Sequence, residues 1–183
     1  MKTAAFDIPP ADMIDRIWAE VYLPAFEPIR AKAPQRHVMW WEEFLALMQD
    51  RAVHKYVTTT DGGDPIGLGC ITNDLTAVPL IEPAYYAAQD PELYAQGRIW
   101  YVITVCSAPG QRDVYAELLT AMAPLVEDSR GIAALDFSTY NTVHRHLDRA
   151  AAVILSRFLG RRITYRVEGE QQYLTYDLTD GQR

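Results

Sequence analysis

Gly110, Gln111, Arg112 and Asp113 stand between a run of apolar strand formers and the first turn of an amphipathic helix, a setting that suits an anion. The first turn of a helix leaves backbone N–H groups unpaired and carries the positive end of the helix dipole. Gln111 and Arg112 add side-chain donors, and Val114 and Tyr115 complete the candidate loop, so a pyrophosphate is a natural guest. Every strand-to-helix turn has free amides, however, and occupation by water alone stays open.

The elements around this loop set its position. Ile99 to Val105 is a nearly unbroken apolar, β-branched and aromatic run, which reads as a strand buried on both faces. Ser107, Ala108, Pro109 and Gly110 stop it. Val114, Leu118, Met122, Leu125 and Val126 then recur at the spacing that keeps one helical face against a sheet, and Gly131 ends the helix. Ile132 to Phe137 is a second apolar strand, and the strand-helix-strand order predicts a right-handed parallel crossover.

Upstream, Thr3 to Ile8 reads as a strand, and Pro9 and Pro10 sit where helices begin. Ile14, Ile17, Trp18, Val21 and Tyr22 line one helical face until Pro24 and Pro28, and Trp41, Phe44, Leu45 and Met48 mark a second helix. Val53 to Thr60 and Ile66 to Thr72, joined by Asp61, Gly62, Gly63, Asp64 and Pro65, form a hairpin. Asn73 to Gln96 fits neither helix nor strand and is longer than a turn requires. It gathers Asp74, Glu82, Tyr85, Tyr86, Asp90, Glu92 and Tyr94, acids and phenols that would draw a cationic amine; the bland alternative is a flap packed by its own tyrosines. Downstream, Leu147, Ala150, Ala151, Ile154, Leu155 and Phe158 mark a last helix ending at Gly160. Strands are expected at Ile163 to Val167 and Gln172 to Leu178.

A chain of 183 residues, about half hydrophobic, buries one good core and is expected to be one domain over residues 1–183. The net charge of −7 argues against a nucleic-acid groove, and no apolar run is long enough to span a membrane, so a cytoplasmic protein is expected. Arg145, Arg149, Arg157, Arg161 and Arg162 read mostly as the solvated face of the last helix. Cys70 and Cys106 read as buried thiols, with a nucleophilic Cys106 served by His144 or His146 as the other reading. His144 and His146 are two residues apart, point apart on a helix and lack an acidic partner, so no metal is expected.

The strand, loop and helix around Gly110 to Tyr115 resemble the fourth strand, pyrophosphate loop and third helix of the GCN5-related N-acetyltransferase superfamily, and most of the chain can be laid over that fold. The resemblance implies an α/β (α+β) domain whose mixed central sheet has about six to seven strands flanked by about four helices. It also implies acetyl-CoA, or another acyl-CoA, as co-substrate. Its pantetheine would lie along Thr104 and Val105 and its pyrophosphate over Gly110, Gln111, Arg112, Asp113, Val114 and Tyr115. The family has glycines where this chain has Asp113 and Tyr115, so the Tyr115 ring is expected to obstruct the phosphates. Ser156 occupies the place of a tyrosine that often protonates the departing thiolate, and Tyr140 is a candidate replacement. Candidate bases are Glu82, Asp136 and His144.

Two functional classes follow. One is an acyl-CoA-dependent N-acyltransferase acting on an amine of a small molecule or peptide. The other is a catalytically inactive scaffold of the same fold that binds another ligand or a protein partner. A homodimer through the C-terminal strands stays open.

Overall fold

The computed structural model describes residues 1–79 and 81–176. Strands β1 (Lys2–Phe6), β2 (His54–Thr59), β3 (Pro65–Thr72), β4 (Ile99–Ser107) and β5 (Ile132–Ala134) form one sheet in sequence order. The first four pair antiparallel, and β5 joins β4 in parallel, as the crossover pattern predicts. β5 pairs only Ile99 to Tyr101 of β4, through Ile132 to Ala134. Among the described residues, β4 therefore has no strand neighbour on that side from Val102 to Ser107, and the sheet opens into a fork.

Helices cover both faces. Helix α1 (Ala11–Arg16) runs through a π-helical stretch (Ile17–Tyr22) into α2 (Leu23–Phe26) and a 3-10 turn (Glu27–Ile29). Pro24 and Pro28 each open a new segment in its first turn, where a missing N–H costs nothing. Together with α3 (Trp41–Gln49), this layer packs Ile17, Val21, Tyr22, Phe44 and Met48 against Leu68, Cys70 and Cys106 of the sheet. On the opposite face, α6 (Val114–Asp128) and α8 (Leu147–Leu159) place Leu119, Met122 and Ala151 on Ile71, Trp100 and Val102. Short helices α4 (Pro83–Gln89), α5 (Pro91–Ala95) and α7 (Thr139–Val143) complete the layers.

Several expectations are corrected. The sheet has five strands among the described residues, not six to seven, and the helices outnumber the expected four because proline and turn residues divide them into short pieces. Residues 161–176 form no strand: Tyr165, Val167, Leu174 and Tyr176 are exposed, so alternation without a strand edge to pair with does not produce a ladder. The end of the second expected strand, at 177–178, lies outside the described residues. Between Asn73 and Gln96 the described residues form a 3-10 turn (Leu75–Ala77) and the two helices α4 and α5, with Asp74 capping the turn and Glu82 capping α4. The β5 strand stops at Ala134 rather than Phe137.

Two features lock the frame. Lys55, wholly buried on β2, donates through Nζ to the carbonyl oxygens of Asp7 and, closely, Asp50, tying the end of β1 to the C-terminus of α3. Gly67 and Gly69 strip β3 to its backbone beneath α6. A Cβ at Gly67 would lie 2.3 Å from Val114 Cγ1, and one at Gly69 would lie 3.1 Å from Met122 Sδ. Only glycine lets the helix approach this closely. Gly67→Ala is expected to cost about 1–3 kcal/mol by overpacking, read as a lowered urea midpoint with an unchanged m-value.

Candidate functional site

The first turn of α6 follows directly from that packing. Val114 is fully buried against Ile66 and Leu118, so the residue before it must turn sharply out of the loop. Asp113 does so in the left-handed conformation, at φ 65°, and Gly110 adopts φ 78°. Aspartate tolerates this region, so Asp113 meets the backbone demand that a glycine would meet. Its side chain makes no capping bond to the helix. Among the described residues, the N–H groups of Gly110, Arg112, Asp113, Val114, Tyr115 and Ala116 have no hydrogen-bond partner; Gln111 N–H donates to Ala108 O. Successive free amides at a helix N-terminus form an anion nest.

Tyr115 does not stand over this nest. Its ring packs against the cluster around Leu119, Met122 and Ala151, toward α8, and burial pushes its phenol up to about 12. Its hydroxyl is buried without a partner among the described residues. The expected obstruction is thereby removed: the first helical turn rotates the side chain away from the loop.

Next to the nest lies a cavity of about 330 Å³, within the range of small-ligand sites. Ser107 to Gln111 form one wall, and Lys32, Tyr140 and Arg145 form another. Lys32 Nζ donates to Tyr140 Oη at 2.8 Å, and this cationic donor pulls the phenol below its usual range. Arg145 belongs to this wall rather than to the solvated face of the last helix, since α8 begins only at Leu147. Arg161, by contrast, pairs closely with Glu127 on the surface.

The other predicted residues separate by role. Of Glu82, Asp136, Tyr140 and Ser156, only Tyr140 lines the cavity. Asp136 accepts from Tyr101 Oη at 2.8 Å, at the point where β5 leaves β4. Glu82 caps α4 through Ala84 N. The Ser156 hydroxyl donates to Ala152 O at 2.6 Å and accepts from Ile163 N at 2.9 Å, which commits it to the end of α8. Thr104 and Val105 lie on the stretch of β4 that β5 does not pair, and the Thr104 hydroxyl is buried without a hydrogen-bond partner among the described residues. Gly110 and Gln111 line the cavity, and Arg112 is exposed beside it.

Burial holds the Cys106 thiol up at about 12, so it is not a thiolate nucleophile near neutrality. His146 precedes α8 with its Nδ1 3.1 Å from Thr142 O, and the His144 ring sits 5.2 Å from that of Tyr140. The acids of the α4–α5 segment are largely spent: Asp74 and Glu82 cap helical turns, and Asp90 pairs with Arg166 at 2.6 Å. Their expected attraction for a free amine is correspondingly reduced. Lys32 lies in a proline-punctuated segment without periodicity, carries no signal in the sequence and reaches the site only through the fold.

No family model matches the sequence, and no curated protein matches it. Solved structures do match the fold. An aminoglycoside acetyltransferase from an uncultured soil metagenomic sample, in complex with trehalose, superposes with a TM-score of 0.52 at 10% identity over 96% of each chain. A ribosomal-protein-alanine N-acetyltransferase from Brucella melitensis biovar Abortus 2308 gives 0.52 at 14% identity, over 96% of this chain and 99% of that one. A tetramutant of the BH1408 protein from Bacillus halodurans gives 0.57 at 12% identity, over 96% and 100%. The chain thus has the fold of the GCN5-related N-acetyltransferases.

The placement of Tyr115 predicts that Tyr115→Phe leaves stability within about 0.5 kcal/mol, because no hydrogen bond is lost, whereas Tyr115→Gly costs about 3–5 kcal/mol through the cavity it opens. Thermal unfolding of the two variants checks this.

Proposed function

We propose that this protein transfers an acyl group, acetyl in the first instance, from acyl-CoA to an amine of a small molecule or peptide. The observation that carries the reading is the nest of unbonded amides from Gly110 to Ala116, set by left-handed Gly110 and Asp113 at the end of the unpaired edge of β4. Those amides would hold the pyrophosphate, with Gln111 and Arg112 beside it. The Asp113 carboxylate opposes an anion, and the Arg145 and Lys32 charges across the cavity offset it. The free edge at Thr104 and Val105 offers backbone groups to the pantetheine arm, and a strand amide there can polarise the thioester carbonyl. The use of this fold by an aminoglycoside acetyltransferase and a ribosomal-protein-alanine N-acetyltransferase supports an amine acceptor.

In the transfer, the amine lone pair attacks the carbonyl carbon, the C–N bond forms and the C–S bond breaks. The departing thiolate needs a proton, which Tyr140 Oη would supply. Its phenol is a stronger acid than an ordinary tyrosine because Lys32 stabilises the phenolate. The phenol that position 156 lacks would thus be supplied from a different element.

Release of free thiol from acetyl-CoA over a panel of amines tests the activity. Tyr140→Phe is expected to lower kcat about 100-fold with little change in acetyl-CoA affinity. Because Tyr140 must be protonated to act, kcat falls as pH rises through its lowered pKa, and Lys32→Met moves that alkaline limb upward. An unchanged kcat in Tyr140→Phe removes Tyr140 from the acid role.

A further inference from the structure

Helices α4 and α5 are held to the fold by little packing. Neither contains a fully buried residue. They reach the core through half-buried Tyr86 and Leu93, which join the apolar cluster of Tyr101 and Ile103 on β4 with Ile132 and Ala134 on β5. Ile103 lies on the stretch of β4 that β5 does not pair, so the two helices stand over the mouth of the fork. Beyond α5, Gly97 takes a left-handed φ of 62°, and its carbonyl oxygen accepts from Asn73 Nδ2 at 2.9 Å. The helical pair therefore ends at a fixed pivot built on a residue that tolerates that turn.

Polar contacts from the C-terminal segment hold this pair in place. Residues 164–168 are exposed and form neither helix nor strand, yet the segment bridges α8 to α4. At one end, Ile163 N donates to Ser156 Oγ at 2.9 Å and Tyr165 Oη donates to Asp148 Oδ2 at 2.7 Å, both on α8. At the other, Arg166 Nη2 donates to Asp90 Oδ2 at 2.6 Å, and Glu168 accepts from Tyr85 Oη at 2.6 Å and from Arg166 Nε at 2.5 Å. Tyr85 lies in the first turn of α4 and Asp90 closes it, so the segment grips the helix at both ends. The Tyr85 ring meets the Tyr86 ring edge-on at 5.4 Å, which puts the grip one ring away from the cluster over the fork. The bond to Tyr85 holds the Glu168 carboxyl below its usual range, so it is charged at neutral pH. A network of exposed ion pairs is screened by salt, and a region held mainly by such contacts opens locally, ahead of the core.

We propose that residues 163–168 are a latch and that α4 and α5 are the lid it holds over the β4–β5 fork. Release of Arg166 and Glu168 from α4 opens the fork while the sheet stays folded. The lid swings on Gly97, and Tyr86 and Leu93 leave the cluster with it. Latch and lid belong to the chain whatever ligand the fork receives, so this proposal stands apart from the acyltransferase reading.

A thiol placed under the lid tests this. Ala134 is half-buried in the cluster that Tyr86 covers, and the native thiols of Cys70 and Cys106 are buried in the core. In the full-length Ala134→Cys chain, the introduced thiol is expected to react with a maleimide about 10-fold faster once Arg166→Gln is added, and faster also in about 1 M sodium chloride. Cys70 and Cys106 are expected to stay unreactive in both. Arg161→Gln, which breaks the surface pair with Glu127 on α6, is expected to leave the rate unchanged. Hydrogen exchange of Arg166→Gln without the added thiol is the second readout, with faster exchange expected in α4 and α5 and none of it in the β2–β3 hairpin. Unchanged thiol reactivity and unchanged α4–α5 exchange in Arg166→Gln overturn the latch. Equal acceleration at Cys70, Cys106 and the hairpin overturns it as well, because opening then spreads through the whole fold.

Discussion

The close seating of α6 on β3 is the constraint from which the site follows. Gly67 presents bare backbone beneath Val114, where any Cβ would collide. With Val114 driven to full burial, the chain can leave the loop only through a left-handed residue, and Asp113 takes that conformation. The same seating aims the unbonded N–H groups of the first turn outward and turns the Tyr115 ring down toward α8. A packing contact between one glycine and one valine thus sets the geometry of a nest several residues long.

The second determinant is the shortness of β5. Three residues suffice to fix the crossover against β4, and pairing then ends at Tyr101. Among the described residues, the remaining stretch of β4 has no strand partner on one side, which a sheet interior normally forbids. Asp136 stabilises the point of divergence by accepting from Tyr101 across the gap. The segment that follows the α1–α2 layer brings Lys32 to the cavity wall, where its Nζ donates to Tyr140 Oη.

Much of this was legible in the residues, and the reason is periodicity. The Ile99 to Val105 run, the Val114 to Val126 helical face and the 53–72 hairpin each carry an unambiguous repeat, and each appears where it was expected. The nest was legible too, because it needs only a strand-to-helix turn. The conformation of Asp113 was not, since a left-handed aspartate leaves no mark in the sequence beyond its own identity. Lys32 and Arg145 converge through tertiary packing from segments without a pattern. The C-terminal alternation at Ile163 to Val167 misled for the opposite reason: a period of two specifies a strand only when an edge receives it. Ser156 likewise matched a family position but serves the end of α8.

The most direct test of the account is an amide chemical-shift titration of the 15N-labelled chain with acetyl-CoA. The account predicts large shifts confined to the amides of Gly110, Arg112 to Ala116 and the unpaired β4 stretch from Val102 to Val105. Saturable binding that leaves those amides unmoved, or no binding by the folded chain, would contradict it.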